Sequence, residues 1–202
     1  SLVLLALTTA GVFCTLSRGG AVSVIGGTLL TTIALVAIRR SAVGIWGGLA
    51  TITLGIAITA WVGMYDRVRL ELLTLQEEDA ADVRLELWQS VLPIAERFGG
   101  LGTGFGTFRH VNRSQLEHAD VHWFYHAENQ YVEALIDGGW IGLSLLIAAV
   151  AVAAWGVLRA IRDARTVRGM AIALAATFAL TSQALHATFD FGLYLPANSW
   201  LL

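Results

Sequence analysis

Apolar residues run along this chain in long blocks joined by short arginine-bearing turns, with one extended polar interruption in the middle. A membrane-spanning helix needs about 20 mainly apolar residues at a rise of about 1.5 Å each. Residues 21–38, 42–64 and 140–158 meet that requirement. Residues 2–16 read as a truncated span, and 169–189 as a further one whose alanines and threonines allow close helix packing in lipid. The pattern predicts an all-α polytopic transmembrane bundle of about five spans. Residues 65–138 are too polar for the bilayer and far longer than an ordinary connection, which marks a functional loop. The expected organisation is spans over 1–64 with an outer Ser-Arg-Gly-Gly turn, a loop domain over 65–138, and C-terminal spans over 139–202. Apolar sequence begins at Ser1 without a charged leader and is still running at Leu202, so the chain reads as a fragment of a longer bundle.

Inside the loop the period changes. Val83, Leu87, Val91, Ile94 and Phe98 fall on one helical face, and Pro93 predicts a break or kink near Leu92. The stretch GGLGTGFGTF follows, with glycines at 99, 100, 102, 104 and 106. It lacks the G-x-G-x-x-G spacing of a dinucleotide-binding turn and reads as a flexible connection. A short helix is expected over 127–137, closed by Gly138 or Gly139, with Trp140 at the height of the membrane interface.

Composition agrees with a membrane protein: 56% of residues are hydrophobic, 14% are charged, and the mean hydropathy is +0.66. The single cysteine, Cys14, excludes an internal disulfide framework and a cysteine-rich metal site. Net charge is -2, and the cations are all arginine, so nothing pulls the chain toward nucleic acid. Charge does assign sides. Arg39 and Arg40 lie in one turn, and Arg159, Arg162, Arg165 and Arg168 surround a single acid, Asp163, in another, so both turns are expected to be cytoplasmic. By parity, the Ser17-Arg18-Gly19-Gly20 turn, the long loop and residues 186–190 face the opposite side. In 66–137 acids outnumber arginines 13 to 6, which independently suits a periplasmic or outer face.

Several residues carry candidate chemistry. Arginines at span ends commonly snorkel to the headgroups, yet Arg18 lies on the side where that bias does not call for it. A guanidinium beside two glycines can approach an anion closely and grip phosphate oxygens with two parallel donors. Arg84 is four residues from Trp88 and shares its helical face; it reads either as an arginine packed on tryptophan with Asp82 or Glu86 nearby, or as a second phosphate ligand. His126 is placed at the start of the short helix, and a neutral imidazole there is a competent general base. Asn129 and Gln130, one turn on, could orient an acceptor or the ring. His118, His122 and His126 have metal-ligand spacing on a continuous helix, but the run Trp123, Phe124, Tyr125 argues against one regular exposed helix, and no metal site is assigned. His186 and Asp190, four apart at an outer helix end, could pair with each other or line the same cavity.

Taken in order, Ser17-Arg18-Gly19, Arg84 with Trp88, Gly102-Thr103-Gly104 followed by Phe108, and His126 with Asn129-Gln130 ahead of Gly138-Gly139-Trp140-Ile141-Gly142 resemble the O-antigen ligase and polymerase family. The trailing HATFDF looks like that family's next segment. The resemblance implies a GT-C-like, metal-independent, inverting glycosyltransferase of the bacterial inner membrane, without a cofactor and with a periplasmic active face. It implies a polyprenyl (undecaprenyl) pyrophosphate glycan as donor, and lipid A core or a growing glycan as acceptor. Arg18 and Arg84 would then hold the donor pyrophosphate and His126 would be the base. Glu128, Asn129, Gln130, His186 and Asp190 would be acceptor-side or orienting residues. This sequence departs from the family pattern in placing Ala127 and Glu128 between the histidine and Asn129, and Glu128 itself stays open as a carboxylate base. Arginine suits a lipid-linked pyrophosphate because its charge does not depend on pH. Two other readings stand beside this one: an anion or solute transporter, weakened because the ionisable residues cluster at one face rather than mid-span, and a non-catalytic component of a polysaccharide export complex.

Overall fold

The structure, a computed structural model, describes residues 18–39, 79–115 and 125–190, with isolated positions between 46 and 57. Its ordered elements are helices α1 (Arg18–Arg39), α2 (Asp79–Phe98), α3 (Phe108–Gln115), α4 (Gln130–Asp163) and α5 (Val167–His186), and among the described residues all regular structure is helical. Three of them are long and apolar enough to cross a membrane, at Gly19–Arg39, Gln130–Asp163 and Val167–His186. These correspond to the expected spans 21–38, 140–158 and 169–189, the last shorter because the helix stops at His186. The spans expected at 2–16 and 42–64 lie largely outside the described residues. The chain divides into two compact units, 1–76 with 152–186 and 77–151 with 187–202.

In the first unit α1 packs along α5. Small residues set the approach: a Cβ on Gly27 would overlap Ser182, and one on Gly26 would press on Leu185. Ser182 Oγ donates across the contact to Ser23 O at 2.9 Å. Thr181 Oγ1 also reaches Gly27 O, at 3.4 Å, while Thr28 bonds within its own helix to Val24 O at 2.7 Å and Thr177 to Ala173 O at 2.7 Å, which is how a threonine is accommodated where no water is present. At the end of α1, Arg39 Nε donates to Ile161 O at 2.9 Å and its Nη2 to Ala164 O. A guanidinium thus covers the open carbonyls where α4 ends, and the two arginine turns lie at the same end of this unit. Arg159 stacks its guanidinium over Trp155 in the last turns of α4, 4.8 Å from the ring centre.

The second unit is built around the polar loop. Leu87, Val91, Ile94 and Ala95 of α2 are buried together with Phe108, Ala127, Leu135 and Ile136, so Leu87, Val91 and Ile94 of the apolar face read from the sequence are core, while the Val83 side chain lies outside the described ones. That face ends one residue early: Phe98 is exposed, because the chain leaves the helix there for Gly99 and Gly100. Pro93 does not break α2, which runs through it to Phe98. Gln89 and Pro93 are both exposed, so water can take the carbonyl that proline leaves without a donor. Nor is the glycine run a flexible connection. The expected short helix over 127–137 begins instead at Gln130 and is not closed by its glycines; α4 continues past a kink at Gly139 (φ 62, ψ -164) to Asp163. The kink costs the helix two rungs of its ladder, and the glycine run replaces them from outside. Thr103 N and Gly104 N donate to Ile136 O and Asp137 O, each at 2.9 Å, while Trp140 N and Ile141 N donate to Gly99 O and Gly100 O at 3.4 and 3.1 Å. So close a seam admits no side chain: a Cβ on Gly102 or Gly139 would strike the opposing backbone.

Candidate functional site

The site candidates gather in the second unit where the chain enters α4. Asn129 is the N-cap: its Oδ1 accepts from Tyr131 N at 2.9 Å and Val132 N at 3.2 Å. His126 therefore stands further ahead of the helix than the sequence suggested, because the helix starts at Gln130 and not at Ala127. Glu128 sits between them at φ 52, a left-handed conformation uncommon outside glycine, and it turns the chain from His126 into the cap.

Two residues of α2 hold this segment. Trp88 donates its indole N–H to Ala127 O at 2.8 Å, and one turn earlier Arg84 Nη2 lies 3.6 Å from Glu128 Oε2. The Arg84 to Trp88 spacing thus has a structural meaning that neither sequence reading contained: both side chains reach the residues that follow His126. Arg84 and Glu128 are partly exposed, so their pairing is screened and exchangeable.

Beneath them lies a residue that the sequence reading passed over. Glu133, only 2% exposed, accepts a hydrogen bond from His126 Nδ1 at 2.9 Å through Oε1 and one from Ala127 N at 3.1 Å through Oε2. A carboxylate buried this deeply needs donors, and here each oxygen has one. With Glu133 ionised its oxygens only accept, so Nδ1 carries the proton and in the neutral ring Nε2 bears the lone pair. One turn further, buried Asp137 accepts from Gly106 N at 2.7 Å and Phe108 N at 3.0 Å, capping α3 and tying the glycine run to α4. The visible signal for Glu133 was an acid in the first turn of the helix, two turns from His126; what hid it was the non-helical turn that brings the histidine back over it.

Gln130 is buried, its backbone N–H donating to Ala187 O at 2.8 Å, and among the described residues its Oε1 has no hydrogen-bond partner. Arg18 is the first residue of α1 and belongs to the first unit. His186 is the last residue of α5, residues 187–189 form a turn, and Asp190 lies beyond it. His118 and His122, with the metal-spacing reading that used them, lie outside the described residues.

Arg84, paired with Glu128, and His126, bonded to Glu133, thus meet one short segment at the head of a helix that runs on into an apolar span. The sequence profile of the O-antigen ligase family matches residues 3–147, well over half of the chain. The chain belongs to the O-antigen ligase family. No curated protein matches it, and no solved structure does. Membership makes it a membrane protein of polysaccharide synthesis with glycosyltransferase-type activity. The matched region takes in Arg18, Arg84, His126, Glu128, Asn129, Gln130 and Glu133 and stops short of His186 and Asp190, so the family match does not reach the HATFDF segment.

Proposed function

We propose that this O-antigen ligase family member transfers a glycan from an undecaprenyl-pyrophosphate donor to an acceptor hydroxyl, either on lipid A core or on a growing polysaccharide, by an inverting mechanism without a metal. The observation that carries the reading is the attachment of the His126 segment to α2 by Trp88 and Arg84, which sets a pH-independent cation beside a base at the head of a span. In this reading Arg84, with Arg18, binds the pyrophosphate. A diphosphate outbids the single, exposed carboxylate of Glu128 for Arg84, since it offers more charge and bidentate geometry. The leaving group departs as an anion and the arginines stabilise it as its charge develops. His126 takes the acceptor proton; Glu128, Asn129 and Gln130, with His186 and Asp190, lie on the acceptor side. The enzyme works in the bacterial inner membrane with this face in the periplasm, as the arginine-rich turns and the acidic loop indicate.

The test uses full-length protein reconstituted with undecaprenyl-pyrophosphate glycan. Arg84→Ala and Arg18→Ala should each abolish transfer, by about a hundredfold or more, while the protein remains in the membrane. Near-normal transfer by both variants would remove the pyrophosphate role.

A further inference from the structure

We infer that Glu133 is a positioning residue for His126, holding the imidazole through Nδ1 so that Nε2 faces the acceptor hydroxyl. The inference deepens the reading of His126 as base and rests on it. Three observations carry it. The contact is short, 2.9 Å, and directed at Nδ1. The carboxylate is 2% exposed, so water does not screen what it does to the ring. Its second oxygen is tied to Ala127 N at 3.1 Å, and the carbonyl of that same residue is tied to Trp88, so the carboxylate is fixed at both ends and cannot simply follow the ring. The other acids nearby are engaged elsewhere, Glu128 with Arg84 and Asp137 with the amides of Gly106 and Phe108.

The step is then balanced. The acceptor O–H gives its proton to Nε2 as its oxygen bonds to the anomeric carbon. The bond from that carbon to the pyrophosphate oxygen breaks, and its electron pair leaves with the pyrophosphate. Positive charge formed on the ring is met at Nδ1 by the buried carboxylate, while the ring orientation is already set before the acceptor arrives.

The experiment measures transfer by the purified full-length enzyme, with undecaprenyl-pyrophosphate glycan as donor and lipid A core or a second glycan as acceptor, for His126→Ala, Glu133→Gln and the double variant. Glutamine retains an acceptor for Ala127 N, so the segment stays in place while the charge is lost. The expected result is a kcat about a hundredfold lower for Glu133→Gln at unchanged donor KM, with the double variant no slower than His126→Ala. Wild-type kcat in Glu133→Gln beside an inactive His126→Ala would overturn the inference and leave His126 as the base. A loss confined to KM, or one that multiplies with the loss from His126→Ala, would also overturn it, because Glu133 would then act other than through the ring. Full activity in His126→Ala would remove the base, and Glu133's role with it. The wild-type protein gives a check that depends on no variant folding: ¹⁵N spectra of the neutral His126 ring should show Nδ1 protonated and Nε2 bare, and the opposite tautomer would contradict the assignment.

Discussion

A single indole hydrogen bond illustrates how little separates a placed histidine from a loose one. Trp88 anchors Ala127 O, and Trp88→Phe keeps the ring's packing while leaving that carbonyl without its donor. The variant should lose about 1 kcal/mol of stability and transfer glycan severalfold more slowly; unchanged rates with lowered stability would show that the anchor serves the fold alone. Asp137 is the more costly residue to remove, since two backbone amides depend on its carboxylate. Asp137→Ala should cost about 2 kcal/mol or more, read as a lower melting temperature in detergent. At this scale the sequence was partly legible. Arg84, Trp88, His126 and Asn129 were visible because their types and spacing are unusual at a span mouth. Glu133 was not, because its importance comes from a turn at Glu128 with positive φ that no spacing rule anticipates.

The kinked helix and its glycine seam show what a hydrophobic pattern can and cannot carry. Apolar length alone marks the spans, because lipid leaves a backbone no other way to satisfy its hydrogen bonds, and the face formed by Leu87, Val91 and Ile94 was equally plain. The glycine run looked flexible because glycine removes the side-chain signal altogether, and its order comes from backbone bonds to a segment more than thirty residues on. Neighbouring glycines should therefore respond very differently to the same change. Gly139, at φ 62 and ψ -164, sits in a region open essentially to glycine and meets backbone where a Cβ would go; Gly139→Ala should cost about 3 kcal/mol. Gly138 has nothing within 4 Å of that position among the described residues, and Gly138→Ala should be neutral or slightly stabilising. Equal thermal shifts in the two variants would contradict the seam as described.

For the whole molecule, the proposal is one of sides, read from the charge pattern along the sequence: arginine turns on one face of the membrane and the chemistry on the other. Arg39 bonded to Ile161 O brings the two arginine turns to one end of the first unit, which the charge count alone could only suggest. In a Cys14→Ser background, single cysteines replacing Arg40 and Arg165 should react with an impermeant thiol reagent only when the cytoplasmic face is opened. A cysteine at exposed Phe105 should react from the outside, and labelling of all three from one face would refute the arrangement. The account as a whole turns on whether this loop transfers sugar. The measurement that decides it is glycan transfer from undecaprenyl-pyrophosphate donor to a panel of lipid A core and glycan acceptors by the reconstituted full-length protein, with His126→Ala in parallel. Transfer by the wild type that is lost in the variant, in protein still folded and membrane-bound, is the predicted result; transfer at the wild-type rate without the histidine would contradict it.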